Sequence, residues 1–135
     1  MSQDRIMNRI TLIFPVLCFW LCWPALASDF KIYNVYRALN LGGSEPIPEK
    51  DYYINEGTSQ GIQEGMVLKV MRKMTLYDLS NEQFYQDILF QIALIKVIHS
   101  EPGTSIARLE KTLPPEQTPS ISPRVIMIGD IVEFQ

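Results

Sequence analysis

Three glycines at four-residue spacing, Gly57, Gly61 and Gly65, separate the stretch Asp51-Tyr52-Tyr53-Ile54 from Met66-Val67-Leu68-Lys69-Val70-Met71. Glycine adopts φ > 0 at little steric cost, so this spacing marks tight turns and interrupts both helix and long strand. The segment predicts a small β fold and names no reaction. It is not a phosphate loop: the Lys and Ser/Thr of that motif are missing, and no helical pattern follows.

The N-terminal segment has the order of a secretory signal peptide. Arg5 and Arg9 form a basic start, Ile10 to Trp23 is an uncharged apolar run, and Pro24-Ala25-Leu26-Ala27 supplies a helix breaker and small residues. That order predicts cleavage between Ala27 and Ser28, with Ala25 and Ala27 recognised by the peptidase. The alternative is a retained anchor, but the apolar run is short for a hydrocarbon core of ~30 Å. Cys18 and Cys22 both lie in that run, each preceded by Leu, so a lipidation site is not indicated. The chain from Ser28 therefore has no cysteine, no disulfide and no thiolate metal site.

Cleavage leaves 108 of the 135 residues, enough for one modest core. Loss of Arg5, Arg9 and Asp4 takes the net charge from −3 to −4. Its charges are interspersed. Without a basic stripe, nucleic acid is not an expected partner. No stable membrane span is expected after cleavage either.

From Phe30 onward the chain reads as strands and turns. Phe30 to Leu39 fits both periods: Phe30, Ile32 and Tyr36 share a strand face, while Ile32, Val35, Tyr36 and Leu39 fit helical spacing. Its aromatic and β-branched residues favour the strand. Gly42 to Pro48 breaks regular structure. Met66 to Tyr77 alternates as a half-buried antiparallel strand. Asp78 to Asp87 is a polar excursion in which Ser80-Asn81-Glu82-Gln83 is either a capping box opening one helical turn or a loop. Ile88 to Ile98 is apolar on both faces and predicts a central strand covered on both sides. Glu101-Pro102-Gly103 is a turn, and Ser105 to Glu110 alternates as the next strand. Leu113 to Arg124, with Pro114, Pro115, Pro119 and Pro123, predicts a surface loop of polyproline character. Val125 to Phe134, broken by the Gly129-Asp130 turn, closes the chain. The expected fold is all-β, a small antiparallel barrel of five to six strands at 51–135, preceded by a strand and linker at 28–50.

These residues carry a resemblance. Ile54, Gly57, Gly61, Gly65, Leu68, Val70, Arg72, Val97, Ser105, Ala107, Gly129, Asp130 and Val132 follow a strand, Asn-x-Gly, Gly-x-x-x-Gly, Val-x-Arg, Ser-x-Ala, Gly-Asp-x-Val order. Over roughly Asp51 to Phe134 the chain resembles the SH3-like C-terminal domain of the flagellar assembly protein T family and related bacterial envelope β-barrel domains. The resemblance implies an SH3-like barrel, and the signal segment implies an exported protein, periplasmic or outer-membrane-associated. The matching residues are turn and core residues, so the resemblance implies a scaffold, not a chemistry.

Catalytic constellations are sparse. His99 is the sole histidine, beside Ser100 and Glu101, and neighbours along a strand point to opposite faces and cannot form a triad. Glu45, Glu49 and Asp51, and Asp78, Glu82 and Asp87, are acidic groups without a calcium-loop spacing. No cofactor or metal is expected. Two functions remain. The first is a non-catalytic module binding an envelope protein through Tyr33, Tyr36, Tyr52 and Tyr53 together with Pro114, Pro115 and Pro119, although aromatics serve equally as core. The second is a small enzyme with a carboxylate pair, or a glycan-binding accessory, acting on cell-wall polysaccharide.

Overall fold

A computed structural model describes residues 29–44 and 46–135. The signal-peptide segment, with Ala25, Ala27 and Ser28, lies outside them. Eight strands follow in order: β1 (Phe30–Tyr36), β2 (Asp51–Ile54), β3 (Val67–Met74), β4 (Tyr77–Asp78), β5 (Gln83–Phe84), β6 (Ile88–Glu101), β7 (Thr104–Thr112) and β8 (Ile131–Phe134). Six of them close a barrel in the order β1-β2-β7-β6-β3-β8, and β4 and β5 form a separate hairpin. Every pairing is antiparallel. No helix among the described residues is long and apolar enough to cross a membrane.

The barrel thus begins at β1, not at Asp51. β1 joins β2 through Val35↔Tyr52 and β8 through Phe30↔Val132, and without it the ring stays open. Its ambiguous periodicity has a physical cause. The register jumps from Ile32↔Ile54 to Asn34↔Tyr53, leaving Tyr33 as a bulge residue. A bulge reverses side-chain parity, so Ile32 and Val35, three apart, both face the core.

A bulge also explains β6. Val70↔Ala93 is followed by Met71↔Gln91, so Ile92 is the extra residue and both Ile92 and Ala93 are buried. Consecutive apolar residues here reflect that parity switch. They do not mean cover on both sides: Ile88, Leu89 and Ile98 are exposed.

The core gathers Ile32, Tyr52, Ile54, Leu68, Val70, Ile95, Val97, Ala107 and Val132 from all six barrel strands. Two loops add a buried side chain each, Ile62 and Ile126. Val125 to Ile128 is not a strand, and β8 starts only at Ile131. The segment 113–130 is also more than surface. The Leu113 N–H donates to the Ile92 carbonyl at 3.1 Å, and Ile121 packs on the core. One short 3-10 turn, Pro115–Gln117, interrupts it.

Candidate interaction surfaces

The glycines serve two different ends. Gly65 has φ +84° in open space, and Gly61 and Gly129 also have positive φ, as turn positions require. Gly57 is different. Its φ is negative, at −147°, and a β-carbon there would lie 1.8 Å from the Glu101 carbonyl oxygen. Gly57 caps the Thr58–Gln60 turn, its carbonyl accepting the Gln60 and Ile62 N–H groups, and it is also the point where the loop lies directly on the β6–β7 turn.

Asp130, expected only to shape a turn, is a buried anion. It accepts Arg72 Nε at 2.9 Å and Arg72 Nη2 at 2.7 Å on its two oxygens, and the Met127 N–H at 2.7 Å. Arg72 also donates to the carbonyls of Pro123 at 2.6 Å and Val125 at 2.8 Å. These bonds to Asp130 raise the Arg72 pKa and fix the guanidinium as a structural cation.

The tyrosines play different parts, and Pro114, Pro115 and Pro119 line neither groove beside them. Tyr52 is core, and burial pushes its hydroxyl pKa up. Tyr33 packs edge-on to Tyr53 with ring centres 6.2 Å apart and hydrogen-bonds Thr104 at 3.2 Å. Tyr36 stands over an open groove with Pro46, Pro48, Asp51 and Arg108. Arg108 Nε donates to Asp51 at 2.7 Å there, which raises the Arg108 pKa. Pro114, Pro115 and Pro119 line neither this groove nor its neighbour around Arg37, Tyr52 and Leu109.

His99 sits between two carboxylates, Glu64 at 3.1 Å from Nδ1 and Glu101 at 3.0 Å from Nε2. The Ser100 hydroxyl points away and donates to the Ile62 carbonyl at 2.8 Å. The three adjacent residues therefore form no nucleophile–base pair. Among the described residues no group of three or more His, Cys, Asp or Glu converges as a metal site.

A cluster of exposed apolar side chains lies where the sequence reads as polar. β3 and β6 continue past the barrel as a two-stranded arm, Met74↔Ile88 being its last pair, and β4–β5 caps it. Leu79 is 85% exposed and Phe84 75%, with Leu76, Tyr77, Tyr85, Ile88 and Leu89 also exposed. This arrangement is ordered. Asp78 accepts the Ser80 N–H at 2.8 Å, Asn81 Nδ2 at 2.7 Å and the Tyr85 hydroxyl at 2.9 Å. Tyr77 and Phe84 pack across the pair with tilted rings, centres 4.8 Å apart. At the base, Asp87 takes Lys73 at 2.6 Å and the Thr75 hydroxyl at 2.5 Å. Leu79 to Glu82 is accordingly a hairpin turn with Glu82 at φ +52°, and Ser80-Asn81-Glu82-Gln83 opens no helical turn. The pKa of Asp78 is held low chiefly by the Ser80 N–H, and that of Asp87 by Lys73. Both favour the anion, which suits neither for a general acid.

The signal for this arm was Tyr77-x-Leu79 and Phe84-Tyr85 bracketing Ser80-Asn81, two short aromatic runs around turn residues. No protein-family model matches the chain, and no curated protein matches it.

Proposed function

We propose that this chain is a non-catalytic protein-binding module of the bacterial cell envelope, built on an SH3-like barrel. One observation carries the reading: an ordered hairpin arm holds large apolar side chains in solvent, away from the core. Contiguous exposed apolar surface of this kind costs solubility and marks an interaction site. The basic-apolar-small order ending at Ala27 supports export, and the family resemblance directs attention to envelope and flagellum-associated assemblies. A photo-crosslinking residue at Leu79 tests this in cells. Crosslinks to an envelope protein from Leu79, and none from Leu41 (exposed, on the 37–50 linker), are the expected result. No crosslink from Leu79 overturns it.

A second reading, an accessory that binds cell-wall glycan, has one observation in its favour. Exposed Tyr36 stands beside the Arg108–Asp51 pair in an open groove, an aromatic plane next to polar groups. Binding of soluble wall fragments that is lost in Tyr36→Ala supports it, and fragments that do not bind the parent chain remove it.

A further inference from the structure

We propose that the hairpin arm receives an extended protein segment that alternates apolar and basic residues, added as a strand along the free edge of β6. The inference rests on the binding-module reading and specifies the chemistry of its partner.

The edge comes first. Over Ile88–Gln91, β6 pairs with β3 on one side, while its pairing with β7 begins only at Ala93↔Thr112. β7 cannot extend further. After the bond from the Leu113 N–H to Ile92, Pro114 and Pro115 have no N–H to donate. Ile88 to Gln91 therefore has no strand neighbour on its other side among the described residues. A free edge is a template for a partner strand.

The side chains select which strand. Ile88 and Leu89 are exposed on that edge, and Leu79 and Phe84 are exposed on the hairpin beyond it. Alternate residues of an added strand would meet this apolar surface. Charge then sets the sign. From Thr75 to Leu89 the chain contains Asp78, Glu82 and Asp87 and no Lys, Arg or His. Lys73 offsets Asp87, leaving Asp78 and Glu82 at the tip. Asp78 is fixed as an anion by its three donors. This rim attracts Lys and Arg, and it disfavours both an anionic lipid surface and a second copy of itself.

The test uses the full chain and two labelled peptides, one alternating Val and Lys, the other Val and Glu. Fluorescence anisotropy is expected to show binding of the Val-Lys peptide that weakens with salt. Binding should be about tenfold weaker for the Val-Glu peptide and for the Leu79→Ser/Phe84→Ser variant. Amide shifts should move along Ile88–Gln91. A melting curve confirms that the variant, altered only at exposed positions, is folded. Leu89→Lys is the second variant and should weaken Val-Lys binding by charge. Equal binding of the two peptides overturns the proposal, as does Val-Lys binding unchanged in both variants. Concentration-dependent dimers lost in the serine variant would make the occupant a second copy. Hairpin-dependent binding to zwitterionic vesicles, without peptide binding, would make it a lipid surface. Leu79 crosslinks to an envelope protein, with no affinity for the Val-Lys peptide, would overturn the partner chemistry and leave the module reading standing.

Discussion

Arg72 on β3 and Asp130 before β8, 58 residues apart in sequence, form a two-pronged pair with contacts of 2.9 and 2.7 Å. Both side chains are largely buried, at 14% and 6% exposed. Their closure ties the loop that precedes β8 to β3 just past its last pair with β8, Met71↔Ile131, and the same guanidinium holds the Pro123 and Val125 carbonyls.

Removing one member should therefore cost far more than a surface ion pair. Asp130→Ala leaves a buried guanidinium and an unpaired Met127 N–H, and should destabilise by about 3 kcal/mol. Replacing both residues with apolar ones, Arg72→Met and Asp130→Leu, should recover part of that loss. Urea unfolding checks both. A single variant within about 0.5 kcal/mol of the parent would show that the pair is incidental.

Gly57 and Gly65 should separate in kind. Gly65→Ala strains a left-handed backbone in open space, at a cost of about 1–2 kcal/mol. Gly57→Ala drives a β-carbon into the Glu101 carbonyl and must displace the β6–β7 turn. It should cost more, with amide shifts spreading to Glu101–Thr104. Equal destabilisation by the two substitutions contradicts the close approach.

The barrel itself was legible in the chain, because period-2 alternation and glycine turns are local signals. Bulges were not. Ile32 with Val35, and Ile92 with Ala93, break alternation on one strand, and only pairing with the opposite strand shows which residue is extra. The same blindness hid the arm. Asp78 to Asp87 reads as polar because its acids and amides outnumber its aromatics, yet Asp78 turns inward to the Ser80 N–H, Asn81 and the Tyr85 hydroxyl, and Tyr77, Leu79, Phe84 and Tyr85 are left exposed. Gly129-Asp130 reads as a turn because the distant Arg72 that occupies Asp130 has no local signature.

The hairpin should persist in acid below the usual range for carboxylates. The Asp78 pKa is lowered from its ordinary 3.8 by the Ser80 N–H, Tyr85 and Asn81. A depressed folded pKa means that this contribution is fully present above 3.8 and is lost as pH falls through the lower, folded value. Amide shifts of Ser80 and Asn81 should hold constant down to that region and then move together. In Asp78→Asn the transition should vanish. Movement centred at or above the ordinary value would show that Asp78 does not organise the turn.

The proline-rich loop should divide into a dispensable part and an anchored part. Pro114 to Ser120 contributes no side chain to the core cluster, and loop-closure entropy changes slowly with length. Replacing that stretch with a short Gly-Ser link should leave the unfolding midpoint near the parent's. Extending the replacement to Pro123 removes Ile121 from the core and rebuilds the Pro123 carbonyl that Arg72 uses. That larger change should cost about 2 kcal/mol, from partial loss of an apolar side chain and a charged hydrogen bond. The single substitution Ile121→Ser separates the two causes, because it keeps the Pro123 carbonyl and removes only the packing. If the short and long replacements unfold at the same urea concentration, the loop is not anchored at Ile121 and Pro123. Asp130 and the Val125 carbonyl would then hold Arg72 in place.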